Sequence, residues 1–231
     1  MDYENQELID TVDKLANNYL AEKNHHKHRD HFFPYLINEL NLKVGVEVGV
    51  DKAAFSEKVL ARSNVEKYYC VDTWQDDFGS DHRPGYFDKD GSKRYQEAYN
   101  TLKKYVDSGR AEMLQMTGVE ASTKFEPSSI DFCYIDGDHS LEGIYTDIKA
   151  WLPKLAIGGI IAGHDYKDGP KSGISDYFGN QLCYRIKTVT HEYCMRYGHK
   201  LNSVGGRILS WWFVKNRRTE DHVKAYLLQA P

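Results

Sequence analysis

The sequence predicts an α/β protein: a mostly parallel sheet with helices on both faces, ending in an antiparallel pair. Two observations carry this. Short apolar runs alternate with amphipathic stretches from Val44 to Ala162, the pattern of strands joined by crossover helices. Near the C-terminus, Leu201 to Val204 and Ile208 to Val214 are joined through the short Gly205-Gly206 link. Parallel strands need a far longer crossover, so this pair is a hairpin and the sheet is mixed.

A helical extension, residues 1–41, precedes the alternation. Leu8, Ile9, Val12, Leu15, Ala16 and Leu20 recur mostly at spacings of three and four, the period of one helix face. The run NHHKHRDH, Asn24 to His31, reads as a solvated loop, because its four histidines lack the cysteine partners and paired spacing of a structural zinc site. A second short helix is expected to start near Pro34, a residue suited to a first helical turn.

Residues 42–231 make the main domain. Val44 to Val48 (VGVEV) is its first strand and Ala53 to Ala61 its first helix. Tyr68 to Val71 is the second strand. Residues 94–106 form a helix with Tyr95, Ala98, Tyr99, Leu102 and Val106 on one face. Met113 to Met116, Ile130 to Ile135 and Gly159 to Ala162 are further strands. A helix over 141–152 joins the last two and stops at Pro153. A helix near 185–197 leads into the terminal hairpin, where Trp211 and Trp212 point to opposite faces.

Composition narrows the function. With 231 residues, 41% of them apolar, the chain suffices for one large domain with a sizeable core. A net charge of −4 argues against general nucleic-acid binding. No apolar run approaches the roughly 20 residues that span a bilayer, and the polar start MDYENQELID is unlike a secretory signal. The four cysteines form no CxxC pair, and Cys70 and Cys133 fall in expected buried strands. The expected setting is reduced and cytoplasmic, without nucleic-acid or membrane partners. A homodimer through the N-terminal helix is left open.

The stretch from Ser128 to Tyr166 carries the most chemistry. Its strand, acidic turn, helix, Gly-Gly turn, strand and second acidic turn put Asp136, Asp138, His139, His164 and Asp165 at the C-terminal ends of two strands. In an open parallel sheet that edge binds ligands. The first strand points to the ligand's nature. In GVEVGVDKAAFS, Gly49 permits a tight turn and close approach to a ligand, but Ala53 replaces a glycine of the dinucleotide fingerprint. Asp72 ends the second strand 25 residues after Glu47, where an acid can accept hydrogen bonds from ribose hydroxyls. Asp51 stands where a pyrophosphate would meet the helix N-terminus. A carboxylate there disfavours a diphosphate but not a cationic nucleoside.

Taken together, EVGVDKAAFS, VDTW at 71–74, MTGVEAS at 116–122, SIDFCYIDGDHS and PKLAIGGIIAGHDY resemble class I S-adenosylmethionine-dependent methyltransferases. The similarity is greatest to macrocin-type sugar O-methyltransferases, and more distant to catechol and caffeoyl-CoA O-methyltransferases. It covers roughly residues 42–215 and implies a Rossmann-like three-layer sandwich, with a seven-stranded sheet whose last strand is antiparallel. By the same resemblance Glu47, Gly49 and Asp51 line the methionine part of S-adenosylmethionine, and Asp72 holds the ribose beside Thr73 and Trp74. Gly118, Val119 and Glu120 border the adenine, and Asp136 closes the cofactor site.

Metal-dependent members of that group hold a divalent cation with an Asp after the fourth strand and an Asp-Asn pair after the fifth. Asp136 matches the first, and His164 and Asp165 occupy the pair's place. Carboxylates favour Mg²⁺, Mn²⁺ or Ca²⁺, and a His ligand tilts the choice toward Mn²⁺ or Fe²⁺. Without a metal, the same acids would serve cofactor and substrate. His139 stands where catechol-type relatives place a basic lysine and where the sugar-type pattern places His. It is the candidate general base, with capping of helix 141–152 or metal ligation as its other roles.

The long connection at 74–93 is the expected cover over the acceptor, through Trp74, Phe78, His82, Arg83, Tyr86 and Phe87. Its Asp88-x-Asp90-Gly91 run imitates the later part of a calcium loop but lacks the first ligand. The expected activity is methyl transfer to a hydroxyl of a small molecule, a sugar or glycosylated metabolite above others. The rivals are a nicotinamide-dependent oxidoreductase and a non-catalytic nucleoside-binding protein on the same fold.

Overall fold

A computed structural model describes residues 3–22, 26–75, 92–175, 181–205 and 208–216. The chain runs α1 (Tyr3–Ala21), α2 (Arg29–Glu39), β1 (Val44–Val48), α3 (Ala54–Arg62), β2 (Lys67–Asp72), α4 (Ser92–Asp107), β3 (Ala111–Gln115) and α5 (Gly118–Ser122). It continues through β4 (Ile130–Ile135), α6 (Leu141–Trp151), β5 (Leu155–Gly163), β6 (Asp168–Ser175), β7 (Gln181–Arg185), α7 (Ile186–Tyr197), β8 (Asn202–Gly205) and β9 (Leu209–Val214).

Seven strands form one sheet in the order β3-β2-β1-β4-β5-β9-β8. The first five are parallel. β9 runs antiparallel to both β5 and β8, as the terminal hairpin requires. The order reverses at β1, so the C-terminal ends of β1 and β4 flank the switch point where open α/β sheets bind ligands.

Alternation along the strands builds three layers. On β4, Phe132 and Tyr134 join an apolar cluster with Phe33 and Phe55, whereas Cys133 and Ile135 join another with Ile144 and Ile148. The first lies under α1–α4 and the second under α5–α7. Trp212 and Trp211 divide the same way: Trp212 meets Phe32 with ring centroids 5.8 Å apart, and Trp211 packs near Phe213 in the other cluster. Fully burying a large apolar side chain stabilises by about 1.5–3 kcal/mol, so the helical extension, through Phe32 and Phe33, is part of the core.

Local starts and stops follow the sequence, with corrections at α2, at the β6–β7 hairpin and at α5. Helix α6 opens on Ser140, whose hydroxyl accepts from Gly143 N–H at 3.0 Å, and gives way to a 3-10 turn containing Pro153. Helix α2 starts at Arg29 rather than near Pro34, which sits inside it. A proline there leaves the carbonyl four residues back without its helical donor. That carbonyl, of Asp30, accepts from Arg62 at 2.8 Å instead. The second correction is the β6–β7 hairpin, a separate two-stranded sheet with Asp168 opposite Arg185. DGPKSGIS has neither apolar alternation nor β-branched enrichment, so it does not read as a strand.

Six non-glycine residues have positive φ among those described, and four of them, Asp51, Ala53, Trp74 and Asp165, follow β1, β2 or β5 at the C-terminal edge. Backbone in sparsely populated regions concentrates at functional sites.

Candidate active site

The β1 turn is built on close backbone approach. Gly49 has φ +86°, and a Cβ there would lie 2.3 Å from the Asp136 carbonyl oxygen. Its N–H donates to Val71 O at 2.8 Å, and Asp136 N–H donates to Val48 O at 2.7 Å. These contacts lock three strand ends together.

Asp72 organises the β1 and β2 turns. Its Oδ2 accepts from Asp51 N–H and its Oδ1 from Trp74 N–H, each at 2.8 Å. Burial raises the Asp72 carboxyl, and those amides oppose the rise. The Val50 amide also bonds to it, and a carboxylate has about four acceptor positions, so room remains for another donor. The Trp74 indole N–H donates to Asp51 O at 2.8 Å. The Asp51 side chain pairs with Arg94 of α4 at 2.9 Å. Thr73 borders a cleft of about 520 Å³ together with Gln115 and Thr117. Glu47 faces inward, 2% exposed, where Ser56 Oγ donates to it at 2.5 Å. Burial pushes its carboxyl up to about 8.

After β3, Gly118, Val119 and Glu120 open α5. Thr117 caps it: its Oγ1 accepts from Glu120 N–H at 3.1 Å, and Glu120 Oε2 accepts from Thr117 N–H at 3.0 Å. The Thr-x-x-Glu signature of this capping box stands in the sequence, although the sequence reading assigned no helix here. Val119 is 45% exposed.

The acidic turns converge. His139 Nε2 lies 3.4 Å from Asp136 Oδ1 and 3.4 Å from Asp165 Oδ2. His164 Nδ1 stands 3.6 Å from Asp136 Oδ1 and 3.9 Å from Asp165 Oδ2. One ligand atom each from Asp136, His139 and Asp165 lies within 4.8 Å of the others. Asp138 turns away, its Oδ1 accepting from Ser140 N–H at 2.9 Å. The N-cap of α6 is Ser140, not His139.

Two cations take the outer oxygens. Arg29, from the first turn of α2, donates to Asp136 Oδ2 at 2.9 Å and to the Tyr134 hydroxyl at 3.0 Å. Its guanidinium also lies over the Phe55 and Tyr134 rings, 4.9 and 5.5 Å from their centroids. Burial opposes ionisation of Asp136, but hydrogen bonds with His139 and His164 and the charge of Arg29 outweigh it, holding the carboxyl well below its ordinary range. Lys167 Nζ lies 3.2 Å from Asp165 Oδ1 and 3.9 Å from the Tyr184 ring centroid. Tyr184, on β7, also faces the His139 ring at 5.3 Å.

The structure therefore brings Asp136, His139, His164 and Asp165 together, with Gly49, Asp51, Asp72, Thr73 and Trp74 on adjoining strand ends. Sequence reasoning missed Arg29 and Tyr184. Arg29 lay in a run that reads as solvated, and no local signal reports a contact 107 positions away. Phe78, His82, Arg83, Tyr86, Phe87 and the Asp88-x-Asp90 run lie outside the described residues.

Residues 42–166 match the family described as a methyltransferase domain, over half of the chain. The Sinorhizobium fredii protein y4gI, itself uncharacterised, is 28% identical over 124 residues, which is 54% of this chain but 13% of that protein's length. A Staphylococcus aureus protein assigned as a caffeoyl-CoA O-methyltransferase aligns in structure with a TM-score of 0.59 and 13% identity, over 92% of this chain and 100% of that one. A Klebsiella pneumoniae protein assigned as an O-methyltransferase aligns with a TM-score of 0.53 and 11% identity, over 90% of each chain. At these identities the structural likeness is one of fold. The family match falls on the strands and turns that build the ligand edge: the chain belongs to the methyltransferase-domain family.

Proposed function

We propose that this protein is an S-adenosylmethionine-dependent methyltransferase that transfers the methyl group to a hydroxyl of a small molecule, a sugar or glycosylated metabolite above others, with His139 as general base. The observation that carries this is the position of His139 Nε2 between Asp136 and Asp165 at hydrogen-bonding range of both. As the acceptor oxygen attacks, its bond to the methyl carbon forms while the sulfur–carbon bond breaks. The hydroxyl proton passes to the His139 imidazole, whose Nε2–H the two carboxylates hold, and the sulfonium becomes the neutral thioether of S-adenosylhomocysteine. An imidazolium between two carboxylates is stabilised where it forms. Gly49, Asp51, Asp72, Thr73 and Trp74 hold the donor and Gly118, Val119 and Glu120 border its base, so that alignment supplies much of the acceleration. The Tyr184 ring beside His139 and Lys167 offers an apolar face suited to a sugar.

Metal assistance is a second reading, favoured by the donor atoms of Asp136, His139 and Asp165 within 4.8 Å. Two carboxylates and an imidazole fit a single Mn²⁺ or Mg²⁺, and His164 borders the same space. When bound, such an ion would lower the acceptor hydroxyl's pKa. The readings part at Nε2, which bears the proton shared with the carboxylates in the first and would bear the cation in the second.

The test is transfer of a labelled methyl group to a panel of hydroxyl acceptors, with Mn²⁺ or with chelator. A His139→Gln variant should lose about 10²–10⁴-fold in turnover while still binding S-adenosylhomocysteine. Turnover that survives in the variant removes the base role. Activity lost with chelator and restored by Mn²⁺ favours the second reading.

A further inference from the structure

Each acid beside His139 spends its outer oxygen on a cation seated against an aromatic ring. For Asp136 the cation is Arg29, over Phe55 and Tyr134. For Asp165 it is Lys167, whose Nζ lies 3.2 Å from Oδ1 and 3.9 Å from the Tyr184 ring centroid. The Arg29 arrangement is buried. The Lys167 arrangement stands at the surface, and its ring comes from the β6–β7 hairpin, outside the main sheet.

Lys167 needs that ring. Its side chain is 45% exposed, and an exposed ion pair holds a flexible lysine weakly. An aromatic face close to the ammonium adds attraction from one direction, which seats Nζ over Tyr184 and onto Asp165 Oδ1. Asp165 Oδ2 then faces His139 Nε2 at 3.4 Å. The hairpin is tied to the same turn, so the ring is held in place. Arg185 N–H, next to Tyr184 in the chain, donates to His139 O at 3.2 Å. At the hairpin base the Asp168 carboxylate accepts from Thr188 N–H at 3.1 Å and from Thr188 Oγ1 at 2.7 Å. The Tyr184 ring also faces the His139 ring, with centroids 5.3 Å apart. It therefore meets both ends of the chain that runs from Lys167 through Asp165 to His139.

We propose that Tyr184 and Lys167 are positioning residues for methyl transfer: the ring seats the lysine, the lysine orients Asp165, and Asp165 keeps one oxygen on His139 Nε2–H. This rests on the reading of His139 as the base. The partner of one imidazole nitrogen sets the tautomer and the aim of the ring, so loss of either residue should slow turnover without weakening the hold on the donor.

The experiment is labelled-methyl transfer, at saturating donor, to the hydroxyl acceptor that the wild type methylates best. It compares Lys167→Met, Lys167→Arg, Tyr184→Leu, Tyr184→Phe, the Lys167→Met/Tyr184→Leu double variant and His139→Gln. Thermal melts establish that each is folded, and calorimetry with S-adenosylhomocysteine should give affinities within about twofold of wild type. Lys167→Met and Tyr184→Leu should each lower kcat at least tenfold. Tyr184→Phe keeps the aromatic face and Lys167→Arg keeps the charge, so both should stay near the wild-type kcat. Residues that act through one another are not additive, so the double variant should be about as slow as the slower single variant. A Lys167→Met enzyme with wild-type kcat, a change confined to the KM for the acceptor, or losses that multiply in the double variant overturns the proposal while leaving His139 as the base. A His139→Gln variant with undiminished turnover, or a wild type that methylates no hydroxyl acceptor, overturns the base reading, and this proposal with it.

Discussion

Arg29 shows how single residues set the site. It lies on the helical extension, yet its guanidinium holds Asp136 at 2.9 Å and is itself only 17% exposed at the side chain. Removing it leaves a buried carboxylate without its cation. Arg29→Met should destabilise the protein on the order of 3 kcal/mol, measured by urea unfolding, and should slow methyl transfer by loosening the acid beside His139. Glu47 gives a pH signature. Its carboxyl titrates at about 8 when folded, against about 4.3 in an unfolded chain. Below pH ~4 both states are protonated and the group costs nothing. As pH rises toward 8, only the unfolded state ionises freely, so stability falls by up to about 1.4 kcal/mol per pH unit. Glu47→Gln should remove that slope: its stability relative to wild type should be higher at pH 8 than at pH 5.5, and an unchanged difference would show that Glu47 is ionised in the fold.

Secondary-structure elements carry these residues, and their legibility varies for physical reasons. The strands of the main sheet are legible because both faces are covered, which makes IDFCYI and LSWWFV continuous apolar runs. Helix α5 is only five residues long, too short for a hydrophobic period, and Thr117 with Glu120 is its one signal. Thr117→Ala should cost about 1 kcal/mol and fray the Gly118 turn, seen as faster hydrogen exchange at Glu120 and Ala121. Hairpin β6–β7 carries no strand signal, yet it delivers Tyr184 to His139. Helix α2 hides its start because Pro34 reads as a first-turn residue, while Arg62 satisfies the carbonyl that Pro34 leaves without a donor.

At the scale of the whole molecule, the fold brings the site together from distant stretches. Asp136, His139, His164 and Asp165 are legible as a group because one helix joins their two strands. Asp72 is legible as a partner of Gly49 because both end neighbouring strands. Arg29 and Tyr184 are not, since each meets the site through packing that no local pattern encodes. No helix among the described residues is long and apolar enough to cross a membrane. The proposed function requires that the β1, β2 and β4 ends bind the methyl donor. Calorimetric titration with S-adenosylhomocysteine, beside NAD and an Asp72→Ala variant, tests it most directly. One site of micromolar affinity, weakened at least tenfold by Asp72→Ala, is expected, with no binding of NAD. Binding of NAD with none of S-adenosylhomocysteine would contradict it.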